Sequence, residues 1–171
     1  MTEPTPTDPR RVILVGVESG RPDTVLQQAA ELARDLGCEL VCAHVDLGRY
    51  TVEENPDGSV HSLPLDPDLP ELDEDSFDPK LAAQIERVMG PTGVTWSVRA
   101  LAGEPARALA HLANTLNARM IIVGTHEASL RRGMREFFRS SVAVHLAHRQ
   151  NRPVLVIPLS PVTDGGALPW E

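Results

Sequence analysis

A chain of 171 residues, 42% hydrophobic and 23% charged, has the size and composition of one globular domain with a sizeable buried core. Its net charge of −8 argues against a nucleic-acid binder, and no apolar run approaches the roughly 18 residues needed to cross a bilayer. Two cysteines, Cys38 and Cys42, are too few for a disulfide framework or a four-thiolate metal site, and both read as structural thiols.

Residues 1–10, rich in Pro and Thr, read as a flexible leader. Arg10 and Arg11 lead into only a short apolar run with no small-residue cleavage site after it. No signal peptide is therefore expected, and the chain is assigned to the cytoplasm. Val12 to Val17 is a continuous apolar run of the kind a strand covered on both faces requires. Val25, Ala29, Leu32, Ala33 and Leu36 recur at helical spacing, and Gly37 stands where a helix-terminating glycine belongs. Leu40 to Val45 is a second buried-type strand. Residues 46–79 are an acidic, Pro-rich insertion in which the pattern stops, and a connection of that length inside a compact domain is expected to be functional or mobile. Residues 53–78 hold ten acids and no Lys or Arg, more than the whole net charge of the chain.

Beyond the insertion, Leu81, Ile85, Val88 and Met89 mark a short helix, and Thr95 to Ala100 alternates as a strand. Trp96 is expected to pack under the sheet edge or the long insertion. Gly103-Glu104-Pro105 opens a helix whose apolar face is Ala106, Leu109, Leu112, Ala113 and Leu116, with Asn117 suited to a left-handed cap. Met120 to Val123 is a fourth strand running into Gly124-Thr125-His126. A basic loop, a helix from about Phe137 to His148, and a last strand from Pro153 to Pro158 follow, and residues 159–171 read as a tail. Strands alternating with helices predict a parallel sheet with helices on both faces.

Four stretches together resemble the universal stress protein family across residues 11–158, which are taken as one domain. They are Val12 to Val17, Ala30 to Gly37 running on into His44-Val45, Gly103 to Ala106, and a C-terminal set. That last set is Ile121 to His126, then Ser140-Ser141-Val142-Ala143, then Arg152 to Pro158. The expected fold is α/β, an open five-stranded parallel sheet of order 3-2-1-4-5. The resemblance implies ATP or AMP as the ligand in some members, and a homodimer. It places a nucleotide site at Val17 and Glu18 after the first strand, at His44 and Val45 beside the adenine, and at Gly124, Thr125, His126, Ser140 and Ser141 beside the phosphates. In nucleotide-binding members a second Gly follows Gly124 by three residues, and a Gly with Ser or Thr follows after nine more, because small residues admit phosphates to backbone N–H groups. Here Glu127 replaces the second Gly, twelve residues separate it from Ser140, and Glu18 stands where Asp is usual.

The function expected is a regulatory or binding module of stress response and not an enzyme, since no Ser-His-Asp, paired-acid or Cys-His set has convincing spacing. Two alternatives stay open. Ser19-Gly20-Arg21-Pro22-Asp23-Thr24 resembles the Ser-Gly-Gly-x-Asp-Ser loop of ATP-using ligases, with Arg21 for the second Gly, and would make an enzyme. A dimeric interaction module that has lost nucleotide is the other. His145 and His148 lack a third ligand, so no metal is expected. Arg131, Arg132, Arg135 and Arg139 form either a solvated face or an anion site in place of the lost glycines, over which the acidic insertion is expected to fold. Val154 to Ile157 is expected to be an edge strand that pairs with its own copy.

Overall fold

The protein is described by a computed structural model covering residues 11–68, 77–125 and 142–159. The leader, Glu127, and the candidate residues His126, Arg131, Arg132, Arg135, Arg139, Ser140 and Ser141 lie outside the described residues, as does the chain beyond Leu159. Five strands form one parallel sheet: β1 (Val12–Gly16), β2 (Glu39–Asp46), β5 (Trp96–Ala102), β6 (Met120–Gly124) and β7 (Val154–Ile157). Their order is β5-β2-β1-β6-β7. Counted among themselves, these strands lie in the expected order 3-2-1-4-5.

The apolar strands are explained by the pleat, which sends successive side chains to opposite faces. Ile13, Val15, Leu40, Cys42 and Ile122 face helices α1 (Thr24–Leu36) and α2 (Pro79–Met89), meeting Ala29, Ala33, Leu81 and Ile85. Leu14, Val41, Ala43, Ile121 and Val123 face α3 (Pro105–Thr115) and α4 (Val142–Arg149), meeting Leu109, Leu112 and Leu146. Each fully buried Leu or Ile stabilises the fold by about 1.5–3 kcal/mol relative to exposure. Burial also pushes the Cys42 thiol up to about 12, so it stays protonated as an inert core residue. Trp96 packs against the first of these clusters. Among the described residues no helix is long and apolar enough to cross a membrane.

The helix ends follow the residues at them. Gly37 closes α1 in the left-handed conformation at φ 62°, where its N–H and that of Cys38 reach back to the Arg34 and Ala33 carbonyls at 3.1 and 2.8 Å. The Glu104 carboxylate accepts from the N–H groups of Ala106 and Arg107 at 3.0 and 2.9 Å, and Pro105 takes the first position of α3. Asn117 is left-handed at φ 48°, as its side-chain type allows.

The insertion departs from the sequence reading. It is not patternless throughout: β3 (Arg49–Glu54) and β4 (Val60–Pro64) pair as an antiparallel hairpin. Its turn is built from Asn55-Pro56-Asp57-Gly58-Ser59. The Asn55 N–H donates to the Ser59 carbonyl at 2.8 Å, the Asp57 carboxylate accepts from the Ser59 N–H and hydroxyl, and Gly58 sits at φ 80°. The hairpin docks on the α3 side of the sheet. Val60 joins the apolar cluster there, Arg99 of β5 donates to the Asp57 carbonyl at 3.0 Å, and Glu54 meets His111 and Thr115 of α3 at 2.6 and 3.2 Å. Among the described residues, Glu54 and Asp57 of the insertion are thus engaged by α3 and β5, while the expected fold of the insertion over the arginines of residues 131–139 lies outside the described residues.

Gly58 is the joint of this docking, because a β-carbon there would overlap Leu112 Cδ1 and its φ disfavours any other residue. Gly58→Ala should cost about 1–3 kcal/mol in urea unfolding. Gly90→Ala, at φ −50° with nothing within 4 Å of the added carbon, should raise stability by about 0.4–1 kcal/mol. Equal effects of the two substitutions would show that the hairpin does not rest on α3.

Candidate functional site

In an open parallel sheet the strand carboxyl ends diverge where the strand order reverses, leaving a crevice. Here that point lies between β1 and β6. β1 feeds α1 on one face, and β6 is flanked by α3 and α4 on the other. A cleft of about 140 Å³ opens at these strand ends. Its walls are largely apolar: Val25 from α1, Leu81 from α2, Leu109 from α3 and Ala143 from α4, with Val45 at the end of β2.

Five of the residues expected at a nucleotide site converge on it: Val17, Glu18, Val45, Gly124 and Thr125. Val17 has a fixed backbone, its N–H donating to the Ala43 carbonyl at 2.9 Å. Gly124 makes close packing possible. A β-carbon there would lie 2.9 Å from Val25 Cγ2 and 3.2 Å from Leu159 Cδ1, so side chains of α1 and of the segment after β7 occupy the space it vacates. Thr125 is held at both ends: its N–H donates to the Ile157 carbonyl at 2.8 Å, and its hydroxyl oxygen accepts from the Leu159 N–H at 2.9 Å.

His44 is placed apart. The pleat directs Ala43 and Val45 to the α3 face, where they line the cleft, and His44 to the α1–α2 face, where it does not. Its Nδ1 lies 3.0 Å from the Val17 carbonyl oxygen, and since a carbonyl only accepts, Nδ1 carries the hydrogen. The ring meets Phe77 edge-on at 6.3 Å between centroids. His44 therefore locks the end of β2 to the chain leaving β1 and positions the cleft wall. Beside it, the Asp78 carboxyl is held below the usual carboxylate range, first by the Ser19 hydroxyl and then by the Lys80 N–H at the start of α2.

Two charged groups stand in the lining among the described residues, and they pair: Arg21 Nε lies 2.9 Å from Glu18 Oε2 at the mouth. The Ser19–Thr24 loop that carries Arg21 is an interlock between α1 and α2. Gln84 of α2 donates to the Arg21 carbonyl and to the Asp23 carboxylate, both at 2.8 Å, while Arg87 grips the same carboxylate with two bonds of 2.9 and 3.1 Å. Arg21, Leu81, Gln84 and Leu159 complete the cleft without having been expected there. Arg21 stood in the sequence as a departure from a ligase-like loop, whereas α2 reaches the cleft through packing that no local pattern records. Leu159 lay in the stretch read as a tail.

The model of the Universal stress protein family matches residues 9–158. Among curated proteins none matches. Among solved structures the chain is similar to a universal stress protein in complex with cAMP, at 18% identity and a TM-score of 0.60 over 90% of this chain and 100% of that one. It is also similar to a universal stress protein from Archaeoglobus fulgidus, at 22% identity and 0.58 over 86% and 93%. A universal stress protein from the same organism in complex with dAMP gives 21% identity and 0.53 over 88% and 99%. At these identities the structural likenesses establish the fold.

The interlock has a pH signature. Arg87 first, then Gln84, hold the Asp23 carboxyl below its ordinary value. A folded-state value lowered in this way contributes stability above about pH 4, which is lost as pH falls through the folded value. Arg87→Ala removes the largest cause, so its urea-unfolding stability should fall less steeply below pH 4 than that of wild type. Identical acid slopes would show that Asp23 gains nothing from Arg87.

Proposed function

The chain belongs to the universal stress protein family, and from that premise we propose that it is a stress-response binding module whose cleft takes an adenine nucleotide, AMP or ATP. The observation that carries this reading is the position and lining of the cleft: apolar walls at the switch point of an open α/β sheet, with two glycine-bearing strand ends, Gly16 and Gly124, at its floor. Apolar walls beside Val45 suit a purine base, and the Gly124-Thr125 turn leads toward the segment that the family uses for phosphate. The similar proteins solved with cAMP and dAMP support adenine chemistry for this fold. The chemistry is binding and not bond-making. The cleft's Glu18 and Arg21 neutralise each other, and the Asp23 of the ligase-like loop is engaged by α2.

The working unit in this reading is a cytoplasmic homodimer. β7 is an edge of the sheet, and its Leu155 and Val156 are each 41% exposed. Pairing of this edge with its copy would cover them. Sedimentation should give twice the 18.6 kDa chain mass at micromolar concentration, and Val156→Lys should return it to a monomer. A wild-type monomer under those conditions refutes the assembly.

Calorimetry tests the nucleotide. AMP or ATP should bind wild type, and Ala143→Phe should weaken binding at least tenfold by filling the cleft. Glu127→Gly should tighten it by removing a carboxylate from the expected phosphate loop. No heat with either wild type or Glu127→Gly would dispose of the nucleotide reading.

A further inference from the structure

Two of the helices that wall the cleft have a second use on surfaces facing away from it. α3 brings Pro105 and Leu109 to the cleft, and α4 brings Val142 and Ala143. Another face of α3, from Arg107 to Asn114, and the last turn of α4, with residues 150–152, enclose a separate groove of about 710 Å³ that shares no residue with the cleft. Among the described residues, three arginines and two histidines line it, and no carboxylate does. On a chain of net charge −8 this is a pronounced segregation of charge.

We propose that this groove binds an acidic peptide segment of a partner protein. The cations are presented on a built frame. Arg152 Nε donates to the Ala118 carbonyl at 2.7 Å, which fixes its guanidinium, and its N–H donates to Gln150 Oε1 at 2.7 Å. Gln150 in turn closes α4 by donating to the Leu146 carbonyl at 3.1 Å. The guanidinium groups of Arg107 and Arg149 have no partner among the described residues, so they are available to a ligand. The rim already takes a carboxylate: His111 and Thr115 hold that of Glu54, at 2.6 and 3.2 Å.

Two features select a peptide over a phosphate compound. Arg107, His111 and Asn114 lie at positions i, i+4 and i+7 on α3, a wall about 10 Å long, which matches about three extended residues. Asn114 and Asn151 add side-chain amides that both donate and accept, as a peptide bond does, whereas a phosphate offers acceptors only. Arginine forks then take the carboxylates bidentately. The contacts are solvent-exposed, so binding should weaken as salt rises.

The test is fluorescence anisotropy with labelled hexaglutamate at low salt, using the full chain. Hexaglutamate should bind and hexaglutamine should not. The double variant Arg107→Gln with Arg149→Gln should bind hexaglutamate at least tenfold more weakly. Its unfolding midpoint and its calorimetric response to AMP should match wild type, because neither arginine contributes to the fold or to the cleft. The proposal is overturned if hexaglutamate fails to bind, or if the double variant binds it as wild type does. It is equally overturned if inorganic tripolyphosphate binds the groove more tightly than hexaglutamate with the same dependence on Arg107 and Arg149, which would make the ligand a phosphate.

Discussion

A sheet buried on both faces has nowhere to place polar chemistry except at its strand ends and its edges, and that constraint arranges this molecule. β1, β2 and β6 bury side chains on either side, so each backbone group must be satisfied by a neighbouring strand. Polar side chains gather where the ladder stops. Glu18, Arg21 and Asp23 follow β1, His44 and Asp46 close β2, and Thr125 follows β6. The cleft is a product of the same geometry. It forms where neighbouring strands send their helices to opposite faces, and no residue was needed to hollow it out.

The hairpin shows how an insertion is absorbed by such a body. A long closed loop costs only slowly increasing entropy, but its polar backbone still needs partners. β3 and β4 supply those to each other, and the turn's own side chains complete the set. Docking then needs few contacts, because the surface of α3 already offers Leu112 to Gly58 and His111 to Glu54. The return path ends with Phe77 against His44 and Asp78 accepting from the Lys80 N–H. One acidic insertion therefore touches both faces of the sheet, and α2 starts from a fixed point.

Legibility in the sequence followed the range of the interactions involved. The sheet strands and the helices were readable because burial imposes a period on neighbouring residues, and Gly37, Pro105 and Asn117 mark ends by their own backbone preferences. The β3–β4 hairpin was obscured because its β-forming residues, Tyr50, Thr51 and Val52, are few and followed at once by acids and a proline. The Asn55-Pro56-Asp57-Gly58 turn was the signal to read. In the site, Val17, Glu18, Val45, Gly124 and Thr125 were expected from the family resemblance, and all five line the cleft at the strand ends. His44 does not line the cleft, and its neighbourhood in sequence does not show the face it takes. That face follows from the parity of the pleat, which sends Cys42 and His44 one way and Val45 the other. Gln84, Arg87 and Leu159 depend on contacts between residues more than thirty positions apart, and no local pattern records those.

The two bonds of Thr125 have a mechanical meaning. One ties the turn after β6 to the Ile157 carbonyl at the end of the edge strand, and the other to the Leu159 N–H just beyond it. Leu159 closes the circuit by resting on the space above Gly124. The floor of the cleft and the rim of the sheet are thus one hinge plate with two pins. The same pair of bonds therefore fixes the spacing between the crevice and that edge, and neither side is anchored independently of the other.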